Sequence, residues 1–146
     1  MKMTAKDFPD HHDAELAFRS YELRRDPAMR EARATMNQKF LPRTADEALA
    51  VTKAEHPLNT AFRQTSSYWE MVYAMARHGI MHPDFLLESA GEGLLLYAKM
   101  EPFLTNIREG WNPTAFTNAE WMTKNSEGGK RLLERFRARV AKQREA

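Results

Sequence analysis

The side chains best suited to chemistry lie on one predicted helix, which spans about residues 59–78. Within it, Arg63 and Glu70 are seven residues apart, so two helical turns place them near the same face. Tyr68 is close by in sequence, and Tyr97 belongs to a later helix. A carboxylate held next to aromatic rings acquires a raised pKa and can exchange protons. Arg63, Tyr68, Glu70 and Tyr97 are therefore the candidate ligand-binding residues.

The same helix also has a purely structural interpretation, which the sequence favours. Arg63, Glu70 and Arg77 recur at a spacing of seven residues. Charges arranged in this way inside a helical bundle commonly tie one helix to its neighbour. A catalytic role would require a cleft in which the four candidates converge, and no catalytic motif accompanies them. We therefore assign no catalytic residue, and a small-molecule binder or enzyme remains the alternative.

The histidines do not form a pattern that predicts a metal site. His11 and Glu15 share a helical face, but a closed site needs further ligands and their supporting partners. The Glu-x-x-His spacing of di-metal bundles is absent, because no histidine has Glu three positions before it. The chain also has no cysteine, which excludes disulfides, thiolate zinc sites and cysteine nucleophiles. We predict neither a metal nor a cofactor.

Basic residues concentrate at the carboxyl end of the chain, although the overall net charge is only +2. Residues 124–146 contain eight Lys or Arg and three Glu, a net charge of +5, whereas residues 1–123 have a net charge of −3. A basic helix can contact phosphate groups, and the candidate contacts are Arg131, Arg135, Arg139 and Lys142. The single aromatic residue nearby and the lack of a helix-turn-helix pattern disfavour nucleic acid as a partner. A solvated terminal helix explains the same charges.

The helices that position these candidate residues can be predicted from helix start and stop signals in the sequence. Asp26 before Pro27 marks a helix start, and Thr44 with Glu47 matches a capping box. Residues 89–92 match a second capping box. The longer predicted helices span about residues 10–25, 27–40, 59–78, 94–107 and 130–142. Shorter ones follow after 44, from 83 and after 117.

Two further signals concern the second half of the chain and the first helix. Pro102 predicts a kink near residues 98–99, and Gly128 with Gly129 weakens the connection before the last helix. The apolar members of the first helix are Leu16, Phe18, Tyr21 and Leu23. No segment shows the period-two alternation of a β-strand. We predict an all-α fold, an irregular antiparallel bundle of about six to eight helices.

The length of 146 residues fits one helical domain. It would have a short flexible amino terminus (about residues 1–9) and a basic carboxyl-terminal helix (about residues 130–143). The longest apolar run covers residues 94–98, far short of the roughly 18–20 residues that span a bilayer. No apolar signal segment follows the first methionine. We expect a cytoplasmic protein without a membrane span.

Residues 56–71 contain HPLN, FRQ and SYWEM in succession, a pattern that resembles a family of uncharacterised bacterial helical proteins. The similarity continues through Gly79 and through GE at 91–92, YAK at 97–99 and PFL at 102–104. The resemblance implies an all-helical fold and a family of unknown function, without an implied catalytic activity.

The sequence therefore favours a non-enzymatic protein-interaction or regulatory module. Its apolar helix surface suits a protein partner or a second copy of the chain in a homodimer. Nine methionines would also suit an adaptable contact surface. The alternatives are the small-molecule binder or enzyme built on the Glu/Arg/Tyr cluster, and phosphate binding by the basic carboxyl-terminal helix.

Overall fold

A computed structural model describes residues 6–146 of the chain, and within that range it contains helices and no β-strand. Counting the helix interrupted at Pro102 as one gives eight helices, so the predicted all-α bundle is confirmed. The helices are α1 (His11–Arg24), α2 (Pro27–Lys39), α3 (Ala45–Ala50), α4 (Asn59–Arg77), α5 (Pro83–Ala90), α6 (Gly93–Met100), a 3-10 turn (Glu101–Phe103), α7 (Leu104–Gly110), α8 (Thr117–Asn125) and α9 (Glu127–Glu145).

Side-chain caps begin several of these helices, as the sequence predicts. The Asp26 carboxylate accepts hydrogen bonds from the first backbone N–H groups of α2, where Pro27 needs none. The Thr44 hydroxyl accepts the Glu47 N–H at 3.1 Å. Asp10 and Asp13 form a reciprocal capping box at the start of α1. Local polar residues therefore fix where these helices start.

The second predicted capping box, at residues 89–92, is wrong. Ser89 lies inside α5, and the Glu92 side chain forms no cap hydrogen bond at the start of α6. Instead, the Glu92 carboxylate accepts two hydrogen bonds from the Arg33 guanidinium, at 2.6 and 3.1 Å, and one from the Asn37 amide at 3.1 Å. A bidentate pairing with α2 has replaced the local cap, because two parallel hydrogen bonds between ionised groups are stronger than one bond to a neutral backbone N–H.

Proline and glycine act differently in the second half of the chain. The interruption at Pro102 lies at residues 101–103, slightly beyond the predicted kink. The predicted weak connection at Gly128 and Gly129 is wrong, because both residues lie in the first turn of α9. A Cβ on Gly129 would lie 2.1 Å from the Met122 carbonyl oxygen. Glycine is needed there because α8 and α9 meet at a tight corner.

The buried apolar residues form one cluster around α4, which packs against α2 and α8. Helix α9 covers α6 and α8 from outside. The apolar residues that recur at helical spacing along α4 are all buried and form its apolar stripe, namely Phe62, Trp69, Val72, Tyr73 and Ala76. Trp69 stacks on Tyr73 with ring centroids 5.7 Å apart. A Cβ on Gly93 would lie 2.6 Å from the Trp69 ring and 2.6 Å from the Tyr73 hydroxyl oxygen. Only glycine therefore lets α6 approach α4 this closely.

Helix α1 has the opposite polarity from the rest of the bundle. Its buried residues are polar, namely Asp13, Ser20 and Arg24. The predicted apolar members Phe18, Tyr21 and Leu23 are exposed. The fourth predicted member, Leu16, is partly buried and packs with Ala17 against the core. Polar contacts with neighbouring elements therefore hold this helix together with a small apolar contact.

Two remaining expectations concern the amino terminus and membranes. Residues 1–5 of the expected flexible terminus lie outside the described residues, and Lys6 donates a 2.8 Å hydrogen bond to the Asp13 carboxylate. Among residues 6–146, no helix is both long enough and apolar enough to cross a bilayer.

Candidate functional site

A groove of about 570 Å³ lies between α4 and the segment 111–118, and we call it the α4–α8 groove. Its volume falls within the range of small-molecule sites, roughly 300–1,000 Å³. Side chains from α4 form one wall, and the aromatic residues of the segment form the other. The lining residues that matter here are Arg63, Ser66, Glu70, Arg77, Trp111 and Phe116.

Glu70 lines the groove and caps α8 from outside that helix. Its carboxylate accepts the backbone N–H groups of Asn118 at 3.0 Å and Ala119 at 2.8 Å. The Asn118 amide returns a hydrogen bond to the Glu70 carbonyl at 2.9 Å. Phe116, at the N-cap position, offers no side-chain acceptor, so an acidic residue from α4 satisfies the first N–H groups of α8.

Burial raises the pKa of the Glu70 carboxyl, while the two N–H donors and the charges of Arg108 and Arg77 lower it in part. This outcome agrees with the raised pKa expected from its aromatic surroundings. Both carboxylate oxygens are nevertheless occupied by backbone donors. The arrangement fits a structural anchor between α4 and α8, which was the interpretation that the sequence favoured.

The two arginines of the groove differ in how they are engaged. Arg77 donates a 3.0 Å hydrogen bond to the Asn118 side-chain oxygen. Arg63 is exposed, and among residues 6–146 it has no side-chain hydrogen bond and no ion pair. The expected pairing of Arg63 with Glu70 is therefore not formed, because α8 holds the Glu70 carboxylate. Arg63 leaves a free guanidinium at the groove.

The opposite wall contains a strained residue. Phe116 has φ of 59°, the one non-glycine residue with a positive φ among residues 6–146. Its ring is buried, with centroids 6.4 Å from Phe62 and 6.3 Å from Tyr97. Trp111 packs on Phe62 at 5.5 Å and stays 40% exposed at the groove. Packing of Phe116 offsets its backbone strain and fixes this wall.

Tyr68, a predicted ligand-binding residue, lies outside the α4–α8 groove, in contact with α1. Its hydroxyl donates to the Ser20 carbonyl at 2.5 Å and accepts a 3.0 Å hydrogen bond from Arg24. Arg24 also donates to the Ser89 carbonyl at 2.9 Å and lies over the Trp69 ring at 5.4 Å. Burial raises the pKa of Tyr68, so its hydroxyl stays protonated.

Tyr97 is also buried away from the groove lining, against Phe116. Its hydroxyl has no hydrogen-bond partner within residues 6–146, and burial, with the charges of Glu101 and Glu120, raises the pKa of Tyr97 to about 12. The four candidates therefore do not converge. Arg63 and Glu70 line one groove, whereas Tyr68 and Tyr97 pack elsewhere.

Sequence reasoning missed two buried cations, Arg24 and Lys99. The Lys99 ammonium donates to the Met36 carbonyl at 3.0 Å and the Asn37 carbonyl at 3.2 Å, near the end of α2. Burial, with the charges of Arg139 and Arg144, lowers the pKa of Lys99 to about 8. A perturbed lysine can mark a catalytic site, but these carbonyls give this one a structural explanation. The sequence signal that could have revealed the burial of Lys99 is its position directly after the apolar run at residues 94–98.

The candidate phosphate contacts on α9 lie along one exposed stripe. Arg131, Arg135, Arg139 and Lys142 follow one another at spacings of four, four and three residues, and all four are exposed. None has a hydrogen bond or ion pair from its side chain within the described chain. Arg144 is different, because it donates to the Pro42 and Lys99 carbonyls and holds the end of α9 on the bundle.

The histidines of α1 belong to no group of side chains that could hold a metal ion. Glu15 lies 3.8 Å from His12 rather than from His11, and both side chains are largely exposed. His82 accepts the Phe85 N–H and caps α5. Residues 6–146 contain no group of three or more His, Cys, Asp or Glu side chains that could hold a metal ion.

Comparison with known proteins adds one finding. The model of a family described as a domain of unknown function (DUF4760) matches residues 9–126, which covers α1 to α8 and leaves α9 outside. The resemblance to a family of unknown function is thereby confirmed. No curated protein and no solved structure matches the chain.

Proposed function

The chain belongs to the DUF4760 family, whose description assigns no activity, and we propose that it is a non-enzymatic interaction module that forms a homodimer through α1. The observation that carries the proposal is the reversed polarity of this helix. Phe18 is 70% and Tyr21 52% exposed, while the polar residues Asp13, Ser20 and Arg24 are buried. We call the exposed side, with Glu15, Phe18, Tyr21, Glu22 and Arg25, the α1 face.

Polar contacts, rather than the aromatic residues, hold α1 on the bundle. The Asp13 carboxylate accepts the His82 N–H at 2.8 Å, and the Ser20 carbonyl accepts the Tyr68 hydroxyl. Phe18 and Tyr21 are therefore not needed to dock the helix. Covering a side chain of this size releases about 1.5–3 kcal/mol. A partner that covers the rings of Phe18 and Tyr21 would therefore be bound with a favourable free energy of this size for each fully buried ring.

A second copy of the chain fits the charges of the α1 face. Glu15 and Arg25 each lie five residues from Ser20, on opposite sides of it. If two α1 helices pair antiparallel about Ser20, Glu15 of each copy lies opposite Arg25 of the other. The aromatic rings then meet at the centre. A two-fold interface requires such self-complementarity, because the same patch occurs on both subunits.

Support for a non-enzymatic role comes from the candidate catalytic group. The Glu70 carboxylate is engaged with the backbone of α8, as described above. The Tyr68 hydroxyl is engaged with α1. Glu70 and Tyr68 thus have structural partners, whereas Phe18 of α1 is 70% exposed, and the Tyr21 ring contacts the guanidinium groups of Arg24 and Arg25 at 5.7 and 5.8 Å.

Sedimentation velocity across a wide concentration range tests the proposal. The monomer has a mass of 16.9 kDa, and the wild-type protein should sediment at twice that mass. Phe18→Glu should weaken the dimer about tenfold or more, since burial of the ring contributes at least about 1.5 kcal/mol. Ala138→Glu is the control, because Ala138 is exposed on α9 and lies outside the α1 face.

Charge reversal tests the register of the pairing. Glu15→Arg and Arg25→Glu should each weaken the dimer, and the double variant should restore it, because the reversed charges again lie opposite each other. A wild-type protein that stays monomeric at every concentration refutes the proposal. Dimerisation that Phe18→Glu leaves unchanged would place the interface elsewhere.

A further inference from the structure

We infer that the α4–α8 groove binds a small anion that carries a flat aromatic ring, with Arg63 contacting the anionic group and Trp111 the ring. This site is separate from the α1 face, so the inference does not depend on the dimer. It rests on the size of the groove, its charge, its aromatic wall and its fixed shape.

The charge of the groove selects an anion. Arg63 and Arg77 line it, and Glu70 is its acidic residue. The Glu70 carboxylate is directed to the N–H groups of Asn118 and Ala119 and forms no ion pair with Arg63, and the two arginines outweigh its single negative charge. A guanidinium presents paired N–H donors that match a carboxylate or a phosphate. Of the two arginines, Arg63 is the one whose donors are all available.

The aromatic wall selects a flat ring. Trp111 packs on Phe62, the residue before Arg63, lines the groove and is 40% exposed. A bound ring can pack against this indole while its charged group reaches the guanidinium of Arg63. Ser66, at the floor of the same groove, offers a hydroxyl for a further hydrogen bond. An aromatic ring, a guanidinium and a hydroxyl thus line the same groove.

The groove is also fixed before any ligand enters. The Arg108 guanidinium donates to the Ala115 carbonyl at 3.0 Å and pairs with Glu120 at 3.2 Å. The Asn112 side-chain oxygen accepts the Thr114 N–H and hydroxyl, both at 3.0 Å. A preformed wall reduces the ordering that binding would otherwise require. The volume of about 570 Å³ suits a small molecule rather than a polymer.

Naphthoate is a suitable probe, with two matched compounds that each remove one feature. Naphthamide keeps the ring and loses the charge, and decahydronaphthalene carboxylate keeps the charge and the two fused rings and loses their aromaticity. Backbone amide shifts in nitrogen-edited NMR would locate binding and give the dissociation constants. Naphthoate should shift the amides of residues 111–118, and each matched compound should bind about tenfold more weakly or worse.

Variants of exposed residues complete the test. Arg63→Ala should weaken naphthoate binding about tenfold or more, because it removes a charge-assisted contact. Trp111→Ala should weaken it as well. Arg30→Ala is the control, since Arg30 is exposed on α2 and outside the groove. Equal binding of naphthoate and naphthamide, shifts away from residues 111–118, no binding, or an unaffected Arg63→Ala would each overturn the inference. The amide spectrum of each variant reports directly that the fold is retained.

Discussion

The Asp13 carboxylate is the contact whose loss should most clearly loosen α1 from the bundle. Its side chain is fully buried and has three donors. One oxygen accepts the His82 N–H at 2.8 Å, and the other accepts the Asp10 N–H at 2.7 Å and the Lys6 ammonium at 2.8 Å. The perturbation is Asp13→Asn, which preserves the shape, removes the charge and replaces one acceptor with a donor.

The magnitude follows from the pKa of the Asp13 carboxyl. Burial alone would raise it, but the Lys6 ammonium and the N–H groups of Asp10 and His82 outweigh burial and lower it from 3.8 to about 2. Because the folded-state pKa is depressed, the ionised carboxylate stabilises the fold at pH values above the unfolded value near 3.8. The contribution is about 2.5 kcal/mol, and it is lost as the pH falls through about 2.

Urea unfolding of the wild-type protein and of Asp13→Asn, repeated from neutral pH to about pH 2, measures this contribution. At neutral pH the variant should be less stable by at least about 2.5 kcal/mol, and the difference should shrink by about that amount on acidification. Asp7→Asn is the matched control, because Asp7 is exposed. A difference that stays constant with pH would refute the reasoning, since the charge of Asp13 would then contribute nothing to the fold.

Three further predictions concern stability and charge. Tyr68→Phe should lower the unfolding free energy by about 2 kcal/mol, because buried Arg24 loses a hydrogen-bond partner. Tyr97→Phe should lower it much less. Equal effects of the two substitutions in urea unfolding would contradict this prediction. Gly129→Ala should destabilise the protein by about 1–3 kcal/mol or more, since the added Cβ would overlap the Met122 carbonyl. Gly128→Ala is the comparison expected to have the smaller effect. A melting temperature for Gly129→Ala no lower than that of Gly128→Ala would exclude the overlap. Alanine substitution of the whole α9 stripe should leave stability within about 0.5 kcal/mol. If the stripe binds duplex DNA, a plot of the logarithm of the binding constant against the logarithm of the salt concentration should have a slope of about −3.6 for four phosphate contacts. A steeper slope, or DNA binding that persists in the alanine variant, would implicate other residues. The stripe residues are Arg131, Arg135, Arg139 and Lys142.

Much of the fold could be predicted from sequence because helix boundaries are local. The predicted helix 59–78 corresponds to α4, and Asp26 with Pro27 starts α2 as expected. Side-chain caps and prolines act within one helical turn, so their effect is visible in the sequence itself. The failures at residues 89–92 and at Gly128 and Gly129 have a common cause. In both, a contact with another helix replaced the local preference.

The candidate site was predictable only in part, for the same reason. The seven-residue spacing correctly placed Arg63 and Glu70 along one groove. It did not reveal that α8 would supply the partners of Glu70, because those N–H groups are 48 and 49 residues away in sequence. Tyr68 and Tyr97 looked equivalent as ligand candidates, yet one is hydrogen-bonded to α1 and the other packs on Phe116.

The sequence by itself determined the helical class, most helix boundaries and the apolar stripe of α4, since these depend on periodicity and on short-range capping. Only the tertiary structure decided which polar residues are buried and which aromatic residues are exposed. Helix α1 illustrates the difference: its composition predicts an apolar side facing the core, whereas the chain docks its polar side and leaves Phe18 and Tyr21 exposed. The physical reason is that Asp13 and Arg24 find partners far away in sequence, while the Ser20 hydroxyl donates to the Ala17 carbonyl within α1. A buried polar group is stable only when such partners satisfy its hydrogen bonds.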